Sequence, residues 1–436
     1  MPHPFAGTVP TSTDMDLLAD LEARGLVHDT TDRALLSARL ADRPIGAYVG
    51  FDPTADSLHV GHLLGQLTLR RFQLAGHRPF PLAGGATGMV GDPGGRSEER
   101  NLLDRDTLRH NVSSIKEQLA RILDFEDGPN RATLVDNADW TETMTVLEFL
   151  RDVGKHMTVN QMVAKDSVRS RMEGEHGISY TEFSYMLLQA NDFRHLYEHH
   201  DVEMQMGGSD QWGNITAGTD LIRRRLGRHT FALTWPLLLK SDGTKFGKSA
   251  SGAVWLDASR TSVFQFRQFW FQADDVDVER YLLQFSLRPV DELRALLQDH
   301  AAAPERRTAQ RLLARELTEL AHGAEAAQAA DDAAALLFGG DPASASVATL
   351  ETLAREVPSS SVTEGELADL VGLLVRTGLA SSNGDARRNL AQRGIRLNGA
   401  VLGADSVVSR YDALHGSFLL LRKGRTTVHL ARILPS

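Results

Sequence analysis

With 436 residues, 42% hydrophobic and 24% charged, the chain has the mix of a soluble globular protein of two or three domains, which excludes a disordered or fibrous polymer. It contains no cysteine, which excludes disulfides and thiolate zinc sites, and no apolar run approaches the roughly 18 residues of a membrane span. The formal charge of −10 is uneven: residues 367–436 hold ten Lys+Arg against four Asp+Glu, a net of +6 that leaves −16 elsewhere, as in a basic module joined to an acidic enzyme body. The opening MPHPFAGTVP has no basic flank before an apolar core, so neither a secretory signal nor membrane attachment is expected, and a cytoplasmic setting is the default.

In chain order, the first periodic segment is a helix with Ser12 and Thr13 as candidate caps, apolar Leu17, Leu18 and Leu21, and a stop at Gly25; a second short helix follows. A strand is predicted at 45–51, a helix at 59–75 closed by Gly76, and a strand at 78–85. A helix follows at about 107–124, a strand at 132–137, and more helix from about 142. Strands at 202–208 and 231–239 flank the helix NITAGTDLIRRRL. This alternation predicts an α/β, Rossmann-like domain with a parallel sheet covered on both faces. Ligands of such sheets sit at the carboxyl ends of the strands.

Beyond about Arg260 the strand signals stop. The expected domains are therefore an α/β body over 1–240, a loop and connection over 241–261, and an α-helical domain over 262–345. Residues 339–366, poor in large apolar groups and rich in Ser, Gly and Pro, read as a linker around one short helix, with 346–366 as the linker segment between the two domains. A small basic α+β domain is expected over 367–436.

Two segments carry phosphate chemistry. The strand 45–51 runs into DPTADSLHVGH, where a helix begins near His59 and its N-terminal N–H groups can hold phosphate. His59 and His62 share a face, and Gly61 leaves room for a flat base against the backbone. Alone, the motif fits two capping or solvent-facing histidines better than a phosphate site; a zinc pair lacks a third ligand. In SDGTKFGKS (241–249), Lys245, Lys248 and Ser249 are donors on a turn punctuated by Gly243 and Gly247, which alone fits an ordinary hairpin tip.

Together, HVGH and KFGKS, almost 190 residues apart, resemble the two signatures of class I aminoacyl-tRNA synthetases. YVGFDPTADSLHVGH, GGATGMVGDP, FLRDVGKH, YTEFSYMLLQANDF, GGSDQWGNITAG and DGTKFGKS, in this order, narrow the resemblance to bacterial tyrosyl-tRNA synthetases. The resemblance implies that Tyr48 and Asp192 hold the phenolic hydroxyl of tyrosine, Asp92, Tyr185 and Gln189 its ammonium group, and that Gln211 lies near its carboxylate. Asp210 and Gly208 would meet the ribose, Gly50, Asp52 and Gly61 would complete the nucleotide site, and Thr54, His59, His62, Lys245, Lys248 and Ser249 would meet the phosphates. Where the family often has a lysine after GDP, this chain has GDPGGRSEER, so Arg96 and Arg100 would meet the pyrophosphate with a planar fork instead of a point charge. Asn191 stands where a tyrosine is common, with little effect expected.

The resemblance further implies an anticodon-binding role for the helical domain and a homodimer formed through an insertion at about 125–190. L-tyrosine, ATP with Mg2+ and tRNA(Tyr) would be substrates, with no tightly bound cofactor, no resident metal and no membrane partner. The tail segment LVGLLVRTGLASSNGDARRNLAQRGIRLNGAVL is similar to a small RNA-binding module shared by a ribosomal protein and these enzymes. Arg387, Arg388, Arg393 and Arg396 would contact phosphates of the RNA there, or else form a solvated helix face.

Overall fold

The computed structural model describes residues 16–92, 103–174, 177–241, 243–244, 246–249, 252–424 and 426–434. The candidate caps Ser12 and Thr13 lie outside these. The first helix, Leu17–Ala23, is capped by Asp16, whose carboxylate accepts the Ala19 amide at 3.1 Å.

The chain forms two compact units. One comprises the described residues of 1–260 and 272–313. Its sheet uses β1 (Asp29–Thr30), β2 (Gly46–Phe51), β3 (Arg78–Ala83), β4 (Val135–Asp136), β5 (Val202–Gly208) and β6 (Phe231–Trp235), in the order β1-β6-β5-β2-β3-β4. All neighbours are parallel except β1, which runs antiparallel to β6. A parallel strand covered on both faces reads as a continuous apolar run, and β2 is buried at every position but Gly50. Tyr48, Phe80, Leu82, Val135 and Val202 from the strands pack with Phe193, Leu196 and Ile222 from the helices Tyr180–His200 and Trp212–Leu226.

The winding fixes where a ligand can sit. From β2 the chain proceeds outward through β3 to β4, whereas β5 and β6 lie on the other side of β2. The direction reverses between β2 and β5, and a crevice opens at their carboxyl ends.

The second unit comprises 261–271 and the described residues of 314–436, a division drawn differently from the expected boundaries at 262, 346 and 367. Its sheet contains β9 (Ser359–Val362), β10 (Ile395–Leu397), β11 (Ala400–Leu402), β12 (Phe418–Lys423) and β13 (Thr427–Ile433), in the order β11-β10-β12-β13-β9; β7 (Lys248–Ser249) and β8 (Gly252–Ala253) form a separate hairpin in the first unit. Alternation along β12 sends Phe418 and Leu420 into one apolar cluster and Leu419 and Leu421 into another. The first cluster includes Phe264, Ala333, Leu336, Leu350 and Leu353, so the sheet shares a core with helices read as a separate domain. The second is closed by the helices Leu370–Arg376 and Asn383–Ala391.

Residues 346–366 are thus no linker. Ser346 caps the helix Val347–Glu356, accepting the Thr349 amide at 3.1 Å, and the helix buries Thr349, Leu350 and Leu353. Residues Ser359–Val362 then pair in parallel with β13. The Ser-rich composition misleads because this edge strand places only Val362 in the core. Leu350→Ala should therefore cost about 2–5 kcal/mol in chemical unfolding, as for a buried leucine. A change within about 0.5 kcal/mol, typical of an exposed linker, would restore the linker reading.

Candidate active site

A cavity of about 390 Å3 occupies the switch between β2 and β5. Its closed end is made by Tyr48, which is 1% exposed, and Asp192, which is 2% exposed. The hydroxyl of Tyr48 is buried without a hydrogen-bond partner among the described residues. The Asp192 carboxylate accepts from Asn137 Nδ2 at 3.0 Å and Trp140 Nε1 at 2.8 Å. Burial raises this carboxyl to about 7 against those two hydrogen bonds, and burial together with the Asp192 charge pushes the Tyr48 phenol upward. An unpaired phenol and a desolvated carboxyl, side by side, leave hydrogen-bonding capacity that a ligand hydroxyl would fill.

The middle of the cavity is acidic. Asp92 accepts Gln211 Nε2 at 2.6 Å, and Gln211 Oε1 accepts from Asn214 at 3.2 Å and Gln189 at 3.4 Å. Tyr185 donates its hydroxyl to Asp52 Oδ2 at 3.0 Å, and Thr87 donates to Asp52 Oδ1 at 2.9 Å. Burial raises the Asp210 carboxyl, with Asp92 adding to the shift. Asp52, Asp92, Asp192 and Asp210 all line one cavity, a field that favours a ligand ammonium. A Cβ at Gly208 would stand 2.6 Å from Asp210 Oδ1, so a side chain there would displace that carboxylate. Gly50 borders the same space with room beside it.

The open end is the start of the helix Val60–Leu74. His59 and His62 form a reciprocal cap: His59 Nδ1 accepts the Gly61 amide at 3.0 Å, and His62 Nδ1 accepts the His59 amide at 3.2 Å. The rings stack 3.9 Å apart, and burial lowers the His59 pKa. The room above Gly61, expected for a flat base, is taken by His59 itself, whose Cε1 lies 2.7 Å from where a Cβ would stand. Thr54 lines the cavity just beyond β2.

Backbone hydrogen bonds bring the two signature segments together. Val60 donates to Val254 O at 3.0 Å, Val254 donates to Gly247 O at 3.0 Å, and Leu256 donates to Leu58 O at 2.8 Å. Phe246 reaches the cavity and rests on Tyr281 and Phe285, with ring centroids 5.0 and 5.7 Å away. Lys248 and Ser249 form β7. Lys245, Arg96 and Arg100 lie outside the described residues.

In the second unit, Arg387 and Arg388 project from the helix Asn383–Ala391, Arg393 follows at φ 56°, and Arg396 stands on β10 opposite Arg422. All four predicted contacts are exposed. Arg388 approaches Asp385 at 3.6 Å, so part of this face is internally paired.

Two residues around the cavity, Asn137 and Trp140, had no motif to announce them; Thr87 and Asn214 lie inside GGATGMVGDP and GGSDQWGNITAG, but nothing in those segments marks these positions by themselves. Asn137 is fully buried and holds the Ala86 amide at 2.7 Å and Thr87 Oγ1 at 3.0 Å as well as Asp192. The available signal was position, since Asn137 closes the predicted strand 132–137 at its carboxyl end.

The chain matches the family model for class I tRNA synthetases (W and Y) over residues 40–339 and that for a tyrosine–tRNA ligase SYY-like C-terminal domain over 349–431. It is 53% identical over 424 residues to a tyrosine–tRNA ligase of Opitutus terrae, covering 96% of this chain and 100% of that one. The corresponding enzyme of Roseiflexus castenholzii is 50% identical over 423 residues, covering 96% and 99%. A C-terminally truncated mitochondrial tyrosyl-tRNA synthetase of Aspergillus nidulans aligns with a TM-score of 0.67 and 34% identity, over 74% of this chain and 94% of that one.

Proposed function

The chain belongs to the tyrosyl-tRNA synthetases of class I, and on that premise we propose how its residues do their work. The function is tyrosine–tRNA ligation: L-tyrosine and ATP give tyrosyl-AMP and pyrophosphate, and the tyrosyl group then passes to the 3′ end of tRNA(Tyr).

The phenolic hydroxyl of tyrosine enters between Tyr48 and Asp192, and the unpaired Tyr48 hydroxyl beside the buried Asp192 is the observation that carries this assignment. Asp92, Gln189 and Tyr185 face the ammonium group, and Gln211 meets the carboxylate. That carboxylate is ionised at pH 7 and needs no general base. Catalysis is therefore alignment of the carboxylate oxygen on the α-phosphorus plus stabilisation of the departing pyrophosphate. Gly208 and Asp210 receive the ribose, with Gly50, Asp52 and Gly61 along the nucleotide. Thr54, His59, His62 and the N-terminus of the helix Val60–Leu74 meet phosphate, joined by Lys245, Lys248, Ser249, Arg96 and Arg100. Magnesium accompanies ATP as part of the substrate. Tyrosine-dependent ATP–pyrophosphate exchange tests this directly; exchange driven equally by tryptophan or phenylalanine would overturn it.

The basic tail binds tRNA(Tyr) through Arg387, Arg388, Arg393 and Arg396, and the setting is the cytoplasm. No described helix is long and apolar enough to cross a membrane. The homodimer is supported by exposed apolar side chains in the expected insertion: Val146 at 74% and Leu147 at 79% exposure, with Leu150, Val159, Met172 and Tyr180. Large apolar side chains left exposed along one stretch of chain are what an interface would cover. Sedimentation should give twice the 47.8 kDa chain mass at micromolar concentration, and a single-chain species alone would contradict the dimer.

A further inference from the structure

We propose that His195 is a positioning residue for tyrosine selection: it supports the Trp140 indole, which in turn holds the Asp192 carboxylate in register for the substrate hydroxyl. This inference rests on the assignment of Asp192 to that hydroxyl.

Asp192 and His195 lie three apart on the helix Tyr180–His200, so one turn presents both the carboxylate and a ring beside it. The Trp140 and His195 rings are stacked, with centroids 4.3 Å apart and planes 13° from parallel, while Trp140 Nε1 donates to Asp192 Oδ1 at 2.8 Å. The indole thus touches the helix at two points, and the hydrogen bond can keep its direction only while the ring plane is held.

The two donors to Asp192 are secured differently. Asn137 is fully buried and fixed through Ala86 and Thr87. Trp140 is only half-buried and belongs to the four-residue helix Ala138–Thr141, which has no side-chain cap. Its orientation depends on the stack. Among the described residues the His195 imidazole makes ring contacts, to Trp140, to His199 at 4.4 Å and to His200 at 6.3 Å, but no hydrogen bond. Burial, with His199, Arg194 and His200 adding to it, lowers His195 to about 4, so the stack joins two neutral rings. An indole free to rotate would release Asp192 Oδ1, and a carboxylate held at one oxygen instead of two would align less well with the phenol. Tyrosine activation suffers; phenylalanine, lacking the hydroxyl, is unaffected.

The experiment measures kcat/KM for tyrosine and phenylalanine in single-turnover activation, in His195→Ala, His195→Phe, Trp140→Phe, Asp192→Asn and the double variant His195→Ala with Trp140→Phe. His195→Ala should lower the tyrosine-to-phenylalanine ratio about three- to tenfold, the range of an aromatic pair. His195→Phe, which keeps a ring in the stack, should stay within about twofold of the parent. On the Trp140→Phe background, where the indole N–H is already gone, His195→Ala should add nothing to the loss of ratio. If the alanine variant does not fold, His195→Leu, apolar but without a ring plane, takes its place with the same expectation. An unchanged ratio in the ringless variant, equal losses for both amino acids, a phenylalanine variant as impaired as the ringless one, or full additivity with Trp140→Phe would each overturn the inference. Asp192→Asn separates the two levels: if it leaves the ratio intact, the hydroxyl-site assignment itself falls. If it lowers the ratio while the ringless variant does not, only the role of His195 falls.

Discussion

Asp192→Ala should reduce kcat/KM for tyrosine about a hundredfold while changing phenylalanine far less. A hydrogen bond from a neutral donor to a buried charged group contributes about 1.5–3 kcal/mol, and leaving a buried hydroxyl half-satisfied adds to the loss. Phenylalanine brings no hydroxyl and so loses nothing comparable; the tyrosyl enzymes are themselves the standard example of such discrimination. The measurement is the ratio of kcat/KM for the two amino acids, with a thermal melt to establish folding, since Asn137 and Trp140 lose their acceptor in this variant. An unchanged ratio would remove Asp192 from the hydroxyl site.

The same carboxyl makes a prediction in pH. Burial raises Asp192 from 3.8 to about 7 in the free enzyme. Between these values the native chain holds a proton that the unfolded chain has released, so this group's contribution to stability falls as pH rises through the window and levels off above it. Asparagine does not titrate. The melting temperature of Asp192→Asn relative to the parent should therefore climb from about pH 5 to about pH 8, corresponding to at most about 4 kcal/mol. A constant or falling difference would contradict a raised Asp192.

The second large effect is expected in the segment that carries the second signature. Lys248→Ala should slow tyrosyl-adenylate formation by about 10²–10³, the cost of removing one group that meets charge developing on the leaving pyrophosphate. Tyrosine binding should change little, because the residues proposed to hold it, Tyr48, Asp92, Tyr185, Gln189, Asp192 and Gln211, all lie outside β7, where Lys248 stands. Loss in the rate with an unchanged dissociation constant is the signature of an interaction made in the transition state. Equilibrium dialysis with tyrosine and rapid-quench measurement of the first turnover resolve the two quantities. An unchanged first-turnover rate would exclude Lys248 from the chemistry.

The catalytic fold was legible in the sequence because its signals are local. Apolar runs of strand length alternate with amphipathic helices, and the turn after each strand carries its own chemistry, as DPTADSLHVGH does after β2. The predicted strand at 231–239 shortens to Phe231–Trp235 because Pro236 cannot donate to the ladder. What composition could not reveal was long-range burial. Ser359–Val362 lacks an apolar stripe, yet it completes the edge of β13, and Leu350 looks like one leucine in a polar segment until β12 packs against it. Site legibility divides the same way. Tyr48, Asp192 and His59 lie in segments with recognisable spacing. Asn137 and Trp140 act through side-chain geometry that only the fold creates, across 55 and 52 residues of chain from Asp192.

The most direct measurement is a crystal structure of the protein with a non-hydrolysable tyrosyl-adenylate analogue. The phenolic oxygen should lie within hydrogen-bond reach, about 2.6–3.0 Å, of both Tyr48 Oη and Asp192, the ammonium should lie against Asp92, and the phosphate should lie at the start of the helix Val60–Leu74. A phenol placed at the histidine end, or outside the cavity with Tyr48 still unpaired, would contradict the account.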